Sequence, residues 1–202
     1  MWDRTLEHIS VVVVAVGLAI ATGVPIGIAI TQNRRLADAV LYAAGIIMTI
    51  PSIALFGMMI PILSTIGQGI GWLPAMVAVF LYSQLPIIRN TYTAIDNVDP
   101  ALREAARGMG MTVVQRLRDV EIPLTIPVIL AGVRTAVVIN IGITAIATYI
   151  GAGGLGTFIA RGISQSDPRQ LVTGAIAVST LAIIADYGLL WVQNRLTPEG
   201  VK

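Results

Sequence analysis

The residues able to do chemistry gather in one stretch, DPALREAARGMGMTVVQRLRDVEIP, from Asp99 to Pro123, which holds four arginines and four carboxylates in 25 residues. Glu104 and Glu121 could pair as acid and base only inside a fixed cleft, and nothing around them implies one. The arginines carry planar forks suited to directional ion pairs, which is recognition chemistry rather than catalysis. Elsewhere the inventory is thin. One histidine, His8, cannot build a histidine metal site, and the absence of cysteine removes thiolate ligation and disulfides. GAGGLG, Gly151 to Gly156, fits the spacing of a dinucleotide loop, yet that loop must follow a strand and open a helix. Here a membrane-length apolar run precedes it, so it reads as helix termination and tight packing, or as a contact surface. No Walker A pattern occurs. No metal site is expected.

The elements that position these residues are apolar. The chain is 55% hydrophobic and 12% charged, with a mean hydropathy of +0.82. A soluble domain carries about 25% charge. No Asp, Glu, Lys or Arg occurs in the fifty residues from Ala39 to Ile88, nor in Ile9 to Asn33 or Thr135 to Ala160. Each run exceeds the roughly 20 residues a helix needs to cross a bilayer. The chain is therefore expected to be all-α and polytopic, with five transmembrane helices near 9–30, 36–57, 72–92, 123–149 and 171–191. Gly57 to Gly71, broken by Pro61 and three glycines, is expected to be a return at the outer face with room for a short interfacial helix. The first run is too long for a signal-peptide core, and its flank has two acids to one arginine, so it is expected to stay as a membrane helix. His8 is expected at a headgroup surface.

Lys and Arg in the short loops orient the bundle. With the N-terminus outside, the cytoplasmic side receives Arg34, Arg35, Arg103, Arg107, Arg116, Arg118, Arg195 and Lys202, and the outside receives Arg4, Arg161 and Arg169. Eight against three predicts N-terminus outside and C-terminus cytoplasmic. The isoelectric point near 9.3 thus reflects topology rather than a nucleic-acid-binding face.

The charged stretch is then cytoplasmic. Asp99 can cap a helix that Pro100 begins, and Leu102, Ala105, Ala106 and Met109 follow at helical spacing. Gly108 and Gly110 weaken that helix, and Thr112 with Gln115 forms a capping-box pattern for a second. Two short helices with a small apolar face result. They either pack on their own bundle or dock a cytoplasmic partner.

These residues resemble the cytoplasmic loop of binding-protein-dependent ABC importer permeases. The pattern is Glu-Ala-Ala, three residues, Gly, nine residues, Ile, one residue, Leu-Pro. Glu104, Ala105, Ala106, Gly110 and Pro123 match, with Val120 and Ile122 standing where Ile and Leu are usual. LPIIRNTYTAI, Leu85 to Ile95, and YIGAGGLGTFIARGI, Tyr149 to Ile163, are similar to segments of the osmoprotectant permeases, which import glycine betaine, choline and carnitine. The resemblance implies one transmembrane permease domain over 1–202 of the type I kind, with a coupling loop about 96–122 and an outer glycine-rich segment about 150–170. It implies a non-catalytic subunit in the cell membrane that binds no cofactor, with ATP and Mg on two partner ATPase subunits. A second permease subunit, identical or homologous, and an extracytoplasmic substrate-binding protein are the other implied partners, beside membrane lipid. The alternative cargo is an amino acid or another small polar solute. Arg103, Glu104, Ala105, Ala106, Arg107, Gly108, Met109 and Gly110 are the implied ATPase-coupling residues, on a framework of Val120, Ile122 and Pro123. Gly151, Gly153, Gly154 and Gly156 are candidates for an outer gate or a binding-protein contact.

Tyr42, Tyr82, Asn140 and Asp186 are candidates for the translocation pathway. Asp186, a carboxylate well inside an expected span, reads first as paired or capping, and Asn140 and Gln84 as interhelical hydrogen-bonders.

Overall fold

The computed structural model describes residues 1–197, and these contain helices and no strand. The basic residue Lys202, counted above for orientation, lies outside the described residues. The helices are α1 (Trp2–Ala29), α2 (Arg34–Thr49), α3 (Ser52–Ser64), α4 (Trp72–Asp96), α5 (Pro100–Gly108), α6 (Val113–Arg116), α7 (Ile122–Ile146), α8 (Gly156–Ser164) and α9 (Pro168–Leu196). Four helical stretches, Trp2–Gln32, Trp72–Asp96, Val113–Ile150 and Pro168–Leu196, are long and apolar enough to cross a membrane, and α2 with α3 makes a fifth, broken span.

That break corrects the expected second span. The helix stops at Thr49, and α3 leaves at 99° to α2. Pro51 disfavours helical backbone in the residue before it, and Ile50 is extended, with ψ 126°. Tyr82 on α4 donates its hydroxyl hydrogen to the Ile50 carbonyl that the break exposes. The return expected from Gly57 to Gly71 is shorter, because α3 continues helical through Gly57 and Pro61 to Ser64.

Close approach of backbones builds the bundle. On α1 the buried positions include Ala15, Ala19, Gly23 and Gly27, one small residue every four. They form a smooth strip along which α4 lies. A β-carbon on Gly27 would stand 2.6 Å from the Thr91 β-carbon, so nothing larger fits this crossing. α4 is the central element, touching α1, α2, α3 and α7, while α9 packs against α7 and α8 at the rim. One core joins α1, α3 and α4 around Val11, Phe56 and Val79. A second joins α1, α4 and α7 around Val16, Ile87 and Ala136.

Loops are sorted between the two ends. At one end the Gly71 amide donates to the Ile150 carbonyl at 2.8 Å, and the Gly154 amide to Glu7 Oε2 at 2.8 Å. The opposite end carries Arg34, Arg35, α5 and α6. His8 departs from expectation: it is fully buried, and its Nε2–H donates to the Ile141 carbonyl on α7 at 3.0 Å.

Candidate functional site

The charged stretch folds as its capping signals predict. Asp99 Oδ1 accepts from the Ala101 amide at 2.8 Å, and Pro100 opens α5. Past Gly108 the chain reverses at Gly110, which has φ +78°, and the Met111 amide donates back to the Ala106 carbonyl at 3.1 Å. Such a left-handed position suits glycine because it lacks a β-carbon. Thr112 Oγ1 accepts from the Gln115 amide at 3.3 Å while Gln115 Oε1 accepts from the Thr112 amide at 2.9 Å, a reciprocal cap that starts α6. A five-residue π turn, Leu117–Glu121, then joins α6 to α7.

Two kinds of residue separate within this loop. Glu104, Ala105, Arg107, Gly108 and Met109 are exposed, and so are the apolar Leu102, Val113 and Val114 of the same loop. Met109 is 70% exposed and Val114 72%. Ala106, by contrast, is 1% exposed and packs inward. Arg103 is also turned inward, donating to the Ile95 carbonyl and to Glu121 Oε2 at 3.5 Å. Of the eight coupling candidates, Ala106 and Arg103 are thus the two that face into the chain. Val120, Ile122 and Pro123 are half-buried at the foot of α7.

At the other end Gly151, Gly153 and Gly154 all have positive φ, between 72° and 81°. A β-carbon on Gly154 would lie 3.1 Å from His8 Nδ1, and one on Gly156 would collide with the Ala145 carbonyl. Glu7 Oε2 is held by the Gly154 amide and by Arg4 Nη1 at 2.9 Å. The glycine segment thus ends α7, turns the chain and seats it on the start of α1. No strand precedes it.

The four pathway candidates do not converge. Asn140 is fully buried and donates to Ser83 Oγ at 2.8 Å. Tyr82 braces the α2–α3 bend, Asp186 pairs with Arg134, and Tyr42 is exposed on α2.

The bundle thus presents a loop of exposed apolar side chains at one end and a packed glycine segment at the other. The family model described as binding-protein-dependent transport system inner membrane component matches residues 23–198. The chain belongs to that family. It is a multi-pass permease of the cell membrane, and such permeases work with ATPase and substrate-binding partners. It is 58% identical over 198 residues to the osmoprotectant import permease protein OsmW of Salmonella typhimurium, covering 98% of this chain and 92% of that one. It is 43% identical over 199 residues to the glycine betaine/carnitine/choline transport system permease protein OpuCB of Bacillus subtilis, covering 98% and 89%. Among solved structures, a chain of the MetNI methionine ABC transporter in inward facing conformations superposes with a TM-score of 0.84 at 22% identity, covering 98% of both chains. A chain of an amino acid ABC transporter crystallised with histidines gives 0.73 at 19%, covering 96% of this chain and 91% of that one. These two establish a shared fold.

The expected pairing of Asp186 and interhelical bonding of Gln84 are present in the permease, while the burial of Glu121 escapes a reading of its sequence. Glu121 is 3% exposed and accepts from Arg116 Nε at 2.6 Å as well as from Arg103. Arg134 bonds both Asp186 and Gln193. Gln84 Nε2 donates to Thr22 Oγ1 at 3.1 Å between α4 and α1.

Proposed function

We propose that this chain is the transmembrane permease subunit of an ATP-driven importer for osmoprotectants of the glycine betaine, choline and carnitine class. The observation that carries the cargo is the 58% identity to an osmoprotectant import permease across nearly the whole of both chains. The methionine and amino acid transporters share only the fold, at 22% and 19% identity, and lend the alternative cargo little.

The working mechanism follows from the loop. Two ATPase subunits hold ATP and Mg, and this chain holds neither. A second permease subunit, identical or homologous, completes the pathway, and a binding protein delivers solute from outside. The exposed patch of Leu102, Ala105, Met109, Val113 and Val114 docks the ATPase, with Glu104 and Arg107 as polar contacts at its rim. ATP-driven closure of the ATPase pair moves the loops together and opens the pathway outward. Hydrolysis resets it. The N-terminus lies outside and the loop in the cytoplasm, as the basic residues favour.

The test is reconstitution of the assembled complex with its binding protein, reading ATPase stimulation and uptake for glycine betaine, choline, carnitine, methionine and histidine. Stimulation by the quaternary amines alone supports the assignment. Stimulation by the amino acids alone sinks it. For orientation, Ser166→Cys should react with a membrane-impermeant maleimide applied from outside, and Asp119→Cys only after permeabilisation.

A further inference from the structure

Glu121 is the one buried carboxylate among the described residues, and it sits where three elements of the loop end meet. Its Oε1 accepts from Arg116 Nε on α6 at 2.6 Å and lies 3.5 Å from Arg103 Nε. Its Oε2 accepts from Arg103 Nη2 of α5 at 3.5 Å. Arg103 also donates to the carbonyl of Ile95 in the last turn of α4. The backbone carbonyl of Glu121 accepts from Thr125 Oγ1 at 2.9 Å, one turn into α7. One acid residue thus ties α5 and α6 to the foot of α7, and Arg103 extends the link to the end of α4.

The backbone supports the same joint. The five-residue π turn Leu117–Glu121 runs into α7 without a break, so the loop is a continuation of the membrane helix rather than a hinge. A π turn carries an extra residue and re-phases the helix beyond it, and such turns cluster at functional sites. Gly108 and Gly110, the flexible points of the stretch, lie on the far side of α6 from this joint. The exposed docking patch is on α5 and α6, the very helices that Glu121 ties down.

We propose that Glu121 is a positioning residue that makes the docked loop and the foot of α7 one rigid lever, so that a push on α5 reaches the membrane helices undiminished. The proposal rests on the reading of α5 and α6 as the ATPase-docking surface. Glu121 itself touches no partner, because it is buried. Its effect on transport passes entirely through Arg103 and Arg116.

The chain has no cysteine, which allows a direct test. Ala101→Cys on α5 and Val128→Cys on α7 are spin-labelled in the assembled complex, and the distance within one chain is read without nucleotide and with ATP trapped. Both positions are exposed. In the parent the distribution is expected to be narrow and equal in the two states. In Glu121→Gln it should broaden at least twofold, and glycine betaine uptake per ATP hydrolysed should fall about tenfold while the ATPase still copurifies. Glu121→Asp, which keeps the charge, should recover part of both. A parent distance that changes between states overturns the lever, as does a Glu121→Gln complex with parent-like distances and uptake. Loss of ATPase copurification in Glu121→Gln also overturns it, since the residue would then serve the docking surface instead. If Glu121→Gln does not fold, Arg103→Gln cuts the α5 link alone, and an unchanged distribution there is equally fatal. If no ATPase copurifies with the parent, the functional reading fails, and the label distances on the permease alone still judge the lever.

Discussion

Arg134 and Asp186 form a bidentate pair between α7 and α9, with Nε to Oδ1 at 2.9 Å and Nη2 to Oδ2 at 3.0 Å, and Arg134 Nη1 adds Gln193 Oε1 at 3.0 Å. Arg134 lies twelve residues into α7, about 18 Å along the helix from its start. An arginine at that depth needs a partner, because apolar surroundings solvate neither ion. The pair pins the peripheral helix α9 to the bundle. Asp186→Ala should therefore lower detergent stability by about 2 kcal/mol, less than the 3–5 kcal/mol for stranding one partner of a buried pair, because Arg134 keeps Gln193. Thermal unfolding should show Arg134→Gln with Asp186→Asn milder together than either alone. Additive losses would mean the two do not act as a pair.

The neighbouring alanines of the loop divide by direction. Ala105 faces out and Ala106 packs in. Ala105→Trp should leave thermal stability within about 0.5 kcal/mol, as surface changes do, yet abolish ATPase copurification. Ala106→Leu should cost about 1–3 kcal/mol by overpacking. Copurification and melting curves on the same preparations separate the two. Equal behaviour of both variants would contradict the assigned faces.

Gly110 has φ +78° and open space where a β-carbon would stand. The penalty for substitution is thus conformational, not steric crowding. Gly110→Val should cost about 1–2 kcal/mol, and Gly110→Asn clearly less, because asparagine tolerates left-handed backbone. Uptake and melting temperature should follow that order. A valine variant as stable as asparagine would show that the turn is not held left-handed.

Two glycines on α7 make an internal comparison. A β-carbon on Gly132 would stand 2.6 Å from Asn90 Cβ and 2.7 Å from the Pro86 carbonyl, whereas Gly142 has nothing within 4 Å. Gly132→Ala should push α4 from α7 and cost about 1–3 kcal/mol. Gly142→Ala should be neutral or stabilising by up to about 1 kcal/mol, since alanine favours helix. Expression level and melting temperature report both, and a destabilised Gly142→Ala would place an uncharted neighbour there.

Much of this architecture is legible as a one-dimensional record. Bare apolar runs foretell the spans, and Asp99, Thr112 and Gln115 foretell the two short helices, because capping acts between residues two or three apart. Pro51 sits in view as a helix breaker, yet the uncharged run continues through it, so hydropathy alone joins α2 to α3. His8 misleads for the opposite reason. Its position near the chain start suggests a surface, while the partner that buries it is Ile141, 133 residues away.

The sequence by itself determined the four unbroken apolar spans and their approximate limits, the charge asymmetry between their ends, the caps of the loop and the family pattern through Pro123. Those features depend on hydropathy and on contacts within a turn, and both are local. Only the tertiary structure decided which loop residues face out, that Glu121 gathers Arg103 and Arg116, that Arg134 meets Asp186, and that the glycines after Tyr149 seat on α1. In a chain whose lipid-facing and protein-facing sides are equally apolar, hydrophobic period cannot tell one side from the other. Helix rotation is then set by where small residues let backbones approach and where scarce polar groups find partners far along the chain.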